Sequence, residues 1–219
     1  MLAPGFFGKI PGRGDFISRR VPPAIQQAWE TWLASLVVAA RQALGAEWPD
    51  AWLTAPLWHF SLGAALVPPA GAVGVLVASV DRVDRYFPFS IIAAATPDGW
   101  DGATLGWSRA AEDLMLGALD DNADPDTLDA ALVRLGPPPL SSSPGHRSGQ
   151  WPLELDGDWP VPDPDPLSER SRVPPGPEQS VWWCRGSGRM APLHVRCVGL
   201  PGPLTTEAMV TGAFEFPDG

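Results

Sequence analysis

The sequence predicts an α/β fold of the α+β kind: a single-domain sandwich in which a mainly antiparallel meander sheet is flanked by helices. Three observations lead there. Short apolar runs at 58–66, 72–80 and 86–95 follow one another, bounded by Gly and Pro, on connections too short for parallel crossovers. Residues 22–44 repeat apolar side chains at helical spacing. A further apolar run, Ser180-Val181-Trp182-Trp183-Cys184, returns after a long Pro-rich stretch and reads as the same sheet being completed.

The elements follow in order. Phe6-Phe7-Gly8-Lys9-Ile10 and Asp15-Phe16-Ile17-Ser18 flank Pro11-Gly12-Arg13-Gly14, which reads as a hairpin whose turn uses the fixed φ of Pro and a positive φ at Gly. In 22–44, Ile25, Trp29, Trp32, Leu33, Leu36, Val37, Ala40 and Leu44 form one face, Pro22 and Pro23 suit the first turn, and Gly45 stops the helix. Trp48–Leu57 reads as a short helical turn or loop, and three strands follow. A helix runs from Trp100-Asp101 to about residue 120 on Leu105, Ala110 or Ala111, Leu114, Met115 and Ala118. Asp124-Pro125 caps another, which carries Leu128, Leu132 and Leu135 to Gly136. Leu193–Val198 is a further candidate strand, and a short helix ends near Phe214. The expected organisation is a core over 1–136, a Pro-rich linker or extended segment over 137–179, and a strand and helix over 180–219 that complete the same domain.

Composition narrows the function. The chain has 219 residues, a net charge of -10 and 45% hydrophobic residues. Such acidity argues against binding nucleic acid or anionic lipid, both of which call for a basic face. No apolar run is long enough to span a membrane. The start lacks the pattern of a signal peptide, and Cys184 and Cys197 do not make a secreted disulfide framework. These features fit a cytoplasmic protein with reduced thiols.

Chemical motifs are sparse. The Gly-rich turn at 11–14 lacks the Lys-Ser/Thr ending of a phosphate loop. Cys184, His194 and Cys197 lack a fourth zinc ligand. Glu112/Asp113 and Asp120/Asp121 read as solvated helix residues. Ser79, His59 and Asp81 would be the residues of a hydrolase, although no Gly-x-Ser-x-Gly elbow surrounds the Ser. The conspicuous stretch is Ser79-Val80-Asp81-Arg82-Val83-Asp84-Arg85, which places two Asp and two Arg between core strands. An Arg fork matches a carboxylate, so Asp81 or Asp84 can lock Arg82 or Arg85. Residue chemistry leaves two readings open: a solvated, self-neutralising turn, or a rigid recognition or catalytic corner. In the second reading Arg13 and Asp15 join Ser79, Asp81, Arg82, Asp84 and Arg85 as partner-binding candidates.

Ordered blocks carry a family resemblance. Gly5-Phe6-Phe7-Gly8-Lys9-Ile10-Pro11-Gly12-Arg13-Gly14-Asp15-Phe16, Trp29-x-x-Trp32, Ala55-Pro56-Leu57-Trp58-x-Phe60 and Ser79 through Pro88 resemble the TagF (ImpM) family of type VI secretion-associated proteins; Ser180-Val181-Trp182-Trp183 resembles its last block. Asp84 stands where the family pattern has Gly. The resemblance implies a cytoplasmic post-translational repressor of type VI secretion. It would bind a forkhead-associated scaffold protein, with a threonine kinase and phosphatase pathway acting beside it. It implies no enzyme activity and no cofactor. The element order β-β-α-β-β-β-α-α also resembles longin or profilin-like sandwiches. The alternatives are a small hydrolase-like enzyme and a structural accessory component of the apparatus.

Overall fold

The computed structural model describes residues 3–21, 23–94, 102–139, 159–162 and 175–214. The expected helix start at Trp100-Asp101 lies outside these residues, as does most of the Pro-rich stretch.

Strands β1 (Gly5–Gly8) and β2 (Ile17–Arg19) form the hairpin, with Phe7 opposite Ser18. Helix α1 (Pro23–Leu44) leads through a 3-10 turn at Gly45–Glu47 into α2 (Trp48–Leu53). The central meander is β3 (Trp58–Leu62), β4 (Ala72–Val77) and β5 (Phe89–Ala94). Next come α3 (Gly102–Gly117), α4 (Pro125–Leu135), β6 (Trp159–Pro162), β7 (Gln179–Cys184), β8 (Leu193–Val198) and α5 (Pro203–Thr211). Among the described residues the strands make one antiparallel sheet ordered β2-β1-β5-β4-β3-β7-β8-β6. The hairpin joins the meander at β5, and the returning strand β7 joins it at β3. Strand β6 falls inside the stretch expected to be a linker or extended segment. Pro160 and Pro162 have no N–H to donate, which suits its place at the sheet edge.

Helices cover both faces, so the strands read as continuous apolar runs rather than alternating ones. Trp58, Phe60, Leu62, Leu76, Ile92 and Trp182 pack with α1, α2 and α5. Phe6, Val73, Val75, Phe89, Ile91 and Trp183 pack with α3 and α4. The first layer is a tryptophan cluster. Trp29 lies 5.1 Å from Trp32 and 4.9 Å from Phe60, and Trp32 lies 5.0 Å from Trp182. Each of these buried indoles has to place its N–H. Trp29 donates to Ser90 Oγ at 3.0 Å, Trp32 to Pro201 O at 3.0 Å and Trp58 to Met209 O at 3.1 Å. Gly74 faces Phe60 across the ladder, and a Cβ there would come within 2.5 Å of the Phe60 ring.

Gly12 departs from the expected turn. Arg13 N donates to Ile10 O at 3.1 Å, which closes the turn, but Gly12 is not in the left-handed region. The residue is small for another reason: a Cβ would meet Ala123 O at 2.6 Å. The hairpin tip is packed against the α3–α4 connection.

A charge-locked corner as candidate functional site

Strand β4 ends at Val77 and β5 begins at Phe89, and the chain between them closes on itself at one end of the sheet. Val80 bridges Tyr86, and Phe87 N donates to Ser79 O at 3.1 Å. The same carbonyl accepts from Trp52 Nε1 at 2.8 Å. Ser79 itself is buried, and its hydroxyl has no partner among the described residues.

Asp81 is the centre of the corner. It is 2% exposed, and its carboxylate accepts from Lys9 Nζ at 2.7 Å, Arg85 Nε at 2.7 Å, Val83 N at 2.9 Å and Arg85 N at 3.0 Å. Burial alone would favour the neutral acid. The Lys9 ammonium, the Arg85 and Val83 amides and the Arg85 guanidinium outweigh it and hold the carboxyl well below the usual carboxylate range. Lys9 is 5% exposed and lies 4.9 Å over the Phe16 ring. Asp84 N donates to Asp81 O at 3.1 Å, which places Asp84 at φ 59. This is the left-handed region that Gly enters freely and Asp tolerates. The Gly expected from the resemblance and the Asp found here therefore support the same turn.

Neighbouring loops hold the corner from two sides. Arg82 N donates to Arg13 O at 3.1 Å, and the Arg85 guanidinium donates to Gly14 O. Arg13 Nη2 donates to Asp124 Oδ1 at 3.0 Å. Asp124 is the N-cap of α4 and accepts from Thr127 N at 3.0 Å; that amide, with Arg13 nearby, keeps its pKa below the ordinary value. The hairpin tip, the 78–88 turn and the α3–α4 connection thus form one rigid end of the sheet.

The candidates separate into two layers. Ser79 and Asp81 point inward, whereas Arg13, Asp15, Arg82, Asp84 and Arg85 are exposed. Asp15 lies 3.9 Å from Arg85. Asp81 locks Arg85 and not Arg82. The sequence pointed to the carboxylate but not to its partner Lys9, whose one signal is a cation inside the apolar run Phe6–Ile10.

The imagined Ser79–His59–Asp81 grouping does not form. His59 is buried between the sheet and α3, where Nδ1 lies 2.7 Å from Ser108 Oγ and Nε2 lies 3.1 Å from Glu112 Oε2. An ionised Glu112 only accepts, so Nε2 carries the proton and Nδ1 accepts from the Ser108 hydroxyl. Burial, with Arg185 and Arg109 adding like charge, lowers the His59 pKa to about 3. Glu112 corrects the expectation of a solvated helix residue. It is buried and also accepts from the Arg185 guanidinium, so the network ties α3 to β3 and to the end of β7. Cys184 and Cys197 are buried and form no disulfide, and burial pushes the Cys184 thiol up to about 11. Among the described residues no group of three or more His, Cys, Asp or Glu is placed to hold a metal ion, and no helix is long and apolar enough to cross a membrane.

These features define a three-layer sandwich protein with a rigid, charge-locked surface corner. Residues 5–135 match the TagF N-terminal domain, type VI secretion system-associated, and the chain belongs to that family. No catalytic family is indicated. The crystal structure of PA0076 from Pseudomonas aeruginosa PAO1 is similar over 99% of this chain and 97% of that one, with 32% sequence identity and a TM-score of 0.74. No curated protein matches.

Proposed function

We propose that this protein is a cytoplasmic post-translational regulator of type VI secretion. It represses the apparatus by binding a forkhead-associated scaffold protein, beside a threonine kinase and phosphatase pathway. Family membership supports the connection with the secretion system. The observation that carries the binding reading is the exposed half of the corner. Asp81 is wholly engaged beneath it, so Arg82, Asp84 and Arg85 sit on a backbone that is already ordered. Arg is enriched at interface hot spots, and a pre-ordered loop loses little entropy on binding. Ser79 and Asp81 act in this reading through the turn they hold.

Calorimetric titration of the whole chain against the scaffold protein of the same secretion cluster tests the proposal. Binding by the wild type, lost in an Arg82→Glu/Arg85→Glu variant that keeps its circular dichroism spectrum, is the expected result. A wild-type protein that does not bind overturns the scaffold reading. Stable stoichiometric co-purification with the assembled apparatus would favour a structural component instead.

A further inference from the structure

The basic side chains of the hairpin are engaged within the fold, as is Arg85 of the turn. Lys9 and Arg85 share Asp81, and Arg13 pairs with Asp124. Arg19 pairs with Asp126 and with Asp129, and Arg20 pairs with Asp129 at 2.6 Å. Asp15 lies beside Arg85. Among the described residues the exposed charged groups left over in the 78–88 turn are the Arg82 guanidinium and the Asp84 carboxylate, which make no hydrogen bond or ion pair; Asp120 and Asp121 of the α3–α4 connection are likewise exposed and unpaired. Arg82 and Asp84 flank Val83, which is 57% exposed.

The backbone beneath these side chains is fixed. The amides of Arg82, Val83, Asp84 and Arg85 donate to Arg13 O, Asp81 Oδ1, Asp81 O and Asp81 Oδ1 respectively. A cation, an apolar side chain and an anion are therefore presented in a set order. A second observation concerns the anion. Asp84 carries its carboxylate at φ 59, a backbone conformation that Gly enters without steric cost.

We propose that Arg82-Val83-Asp84 is a bipolar docking tip. It fits a protein surface that presents a carboxylate to Arg82, an apolar depression to Val83 and a basic side chain to Asp84. The inference rests on the scaffold-binding reading and adds to it the chemistry of the contact. Opposite charges either side of an apolar centre fix the orientation of docking and reject a partner of reversed polarity. Arg13 and Arg85 become positioning residues, with their cationic groups turned to Asp124, Asp81 and Gly14 O.

The test measures affinity for the forkhead-associated scaffold with the full chain. Arg82→Glu and Asp84→Arg are each expected to weaken binding about tenfold or more, and Val83→Ser severalfold. Gln27→Glu, on the exposed face of α1, is expected to change nothing. Asp84→Gly guards against misfolding, because it removes only the carboxylate and relieves the backbone; it is expected to fold at least as well as the wild type and still lose affinity. The dissociation constant is expected to rise between about 50 and about 300 mM salt. If Arg82→Glu or Asp84→Gly binds within about twofold of wild type, the bipolar tip is wrong while scaffold binding stands. If phosphatase treatment of the scaffold abolishes binding, Arg82 meets a phosphoryl group and the carboxylate assignment falls. If the wild type does not bind, both readings fall together.

Discussion

Replacing Asp81 by Asn separates the charge of the corner from its shape. The side-chain oxygen of Asn still accepts from the Val83 and Arg85 amides, which lie 2.9 and 3.0 Å from Asp81 Oδ1. The new amide group donates, and it faces Lys9 Nζ and Arg85 Nε, both donors that sit 2.7 Å from the present oxygen. Two charge-assisted bonds are lost, and Lys9, only 5% exposed, keeps its charge without a counter-ion. Arg85 is half exposed, so water compensates most of its share. Stranding a buried charge costs about 3–5 kcal/mol, against a typical domain stability of about 5–15 kcal/mol. Urea unfolding at neutral pH, followed by tryptophan fluorescence, should show that loss. Adding Lys9→Met to Asp81→Asn removes the stranded charge and should recover part of it. The acid limb gives a second readout. Asp81 is more acidic folded than unfolded, so its stabilisation is complete above the unfolded value of about 4 and disappears as pH falls through the lower folded value. Asp81→Asn should lack that component. A loss below about 1 kcal/mol with an unchanged acid limb would refute the view that the buried carboxylate holds the corner.

Other changes probe the remaining supports. Asp84→Gly should raise stability by up to about 1 kcal/mol in the same unfolding assay, because φ 59 suits Gly better than Asp, whereas Asp84→Val should lower it. His59 is held neutral with a folded pKa of about 3, so the unfolded chain takes up a proton first as pH falls. Stability should therefore decline from about pH 6.5 toward pH 3, and His59→Gln should remove that slope in pH-dependent melting. Gly12→Ala puts a Cβ 2.6 Å from Ala123 O and should cost about 1–3 kcal/mol while loosening the hairpin tip, read by amide hydrogen exchange across 10–16. Trp52→Phe leaves Ser79 O with one donor fewer and should cost about 1–2 kcal/mol.

The fold was legible where periodicity and punctuation are local. Helix α1 ran between Pro and Gly signals on an apolar stripe, and Asp124-Pro125 announced α4, whose cap the structure places on that Asp. The meander was visible because its strands are short apolar runs with short connections. Other features depended on distant contacts. Gly12 carries no left-handed turn; its size is set by Ala123, more than a hundred residues away. Glu112 sits in a helix with charged neighbours, so only the fold shows that it faces His59. Lys9 and Asp81 are 72 positions apart, and composition alone cannot pair them. Strand β6 was hidden by its own prolines, which weaken a strand signal in general yet suit an edge.

The charges of the corner divide between an inward and an outward half. Ser79 and Asp81 turn inward and Val80 and Arg82 outward, as alternate residues of an extended chain do. The inward carboxylate engages Lys9, Arg85 and two backbone amides, so that half is structural. The outward half inherits its rigidity without sharing its bonds: Arg82 and Asp84 contribute no ion pair among the described residues, although their backbone is fixed. The hairpin cations Arg13, Arg19 and Arg20, in contrast, are each held in an ion pair. Substituting inward residues should therefore change stability first and binding as a consequence. Substituting Arg82 should change binding alone, and that contrast in one set of variants separates a structural corner from a docking one.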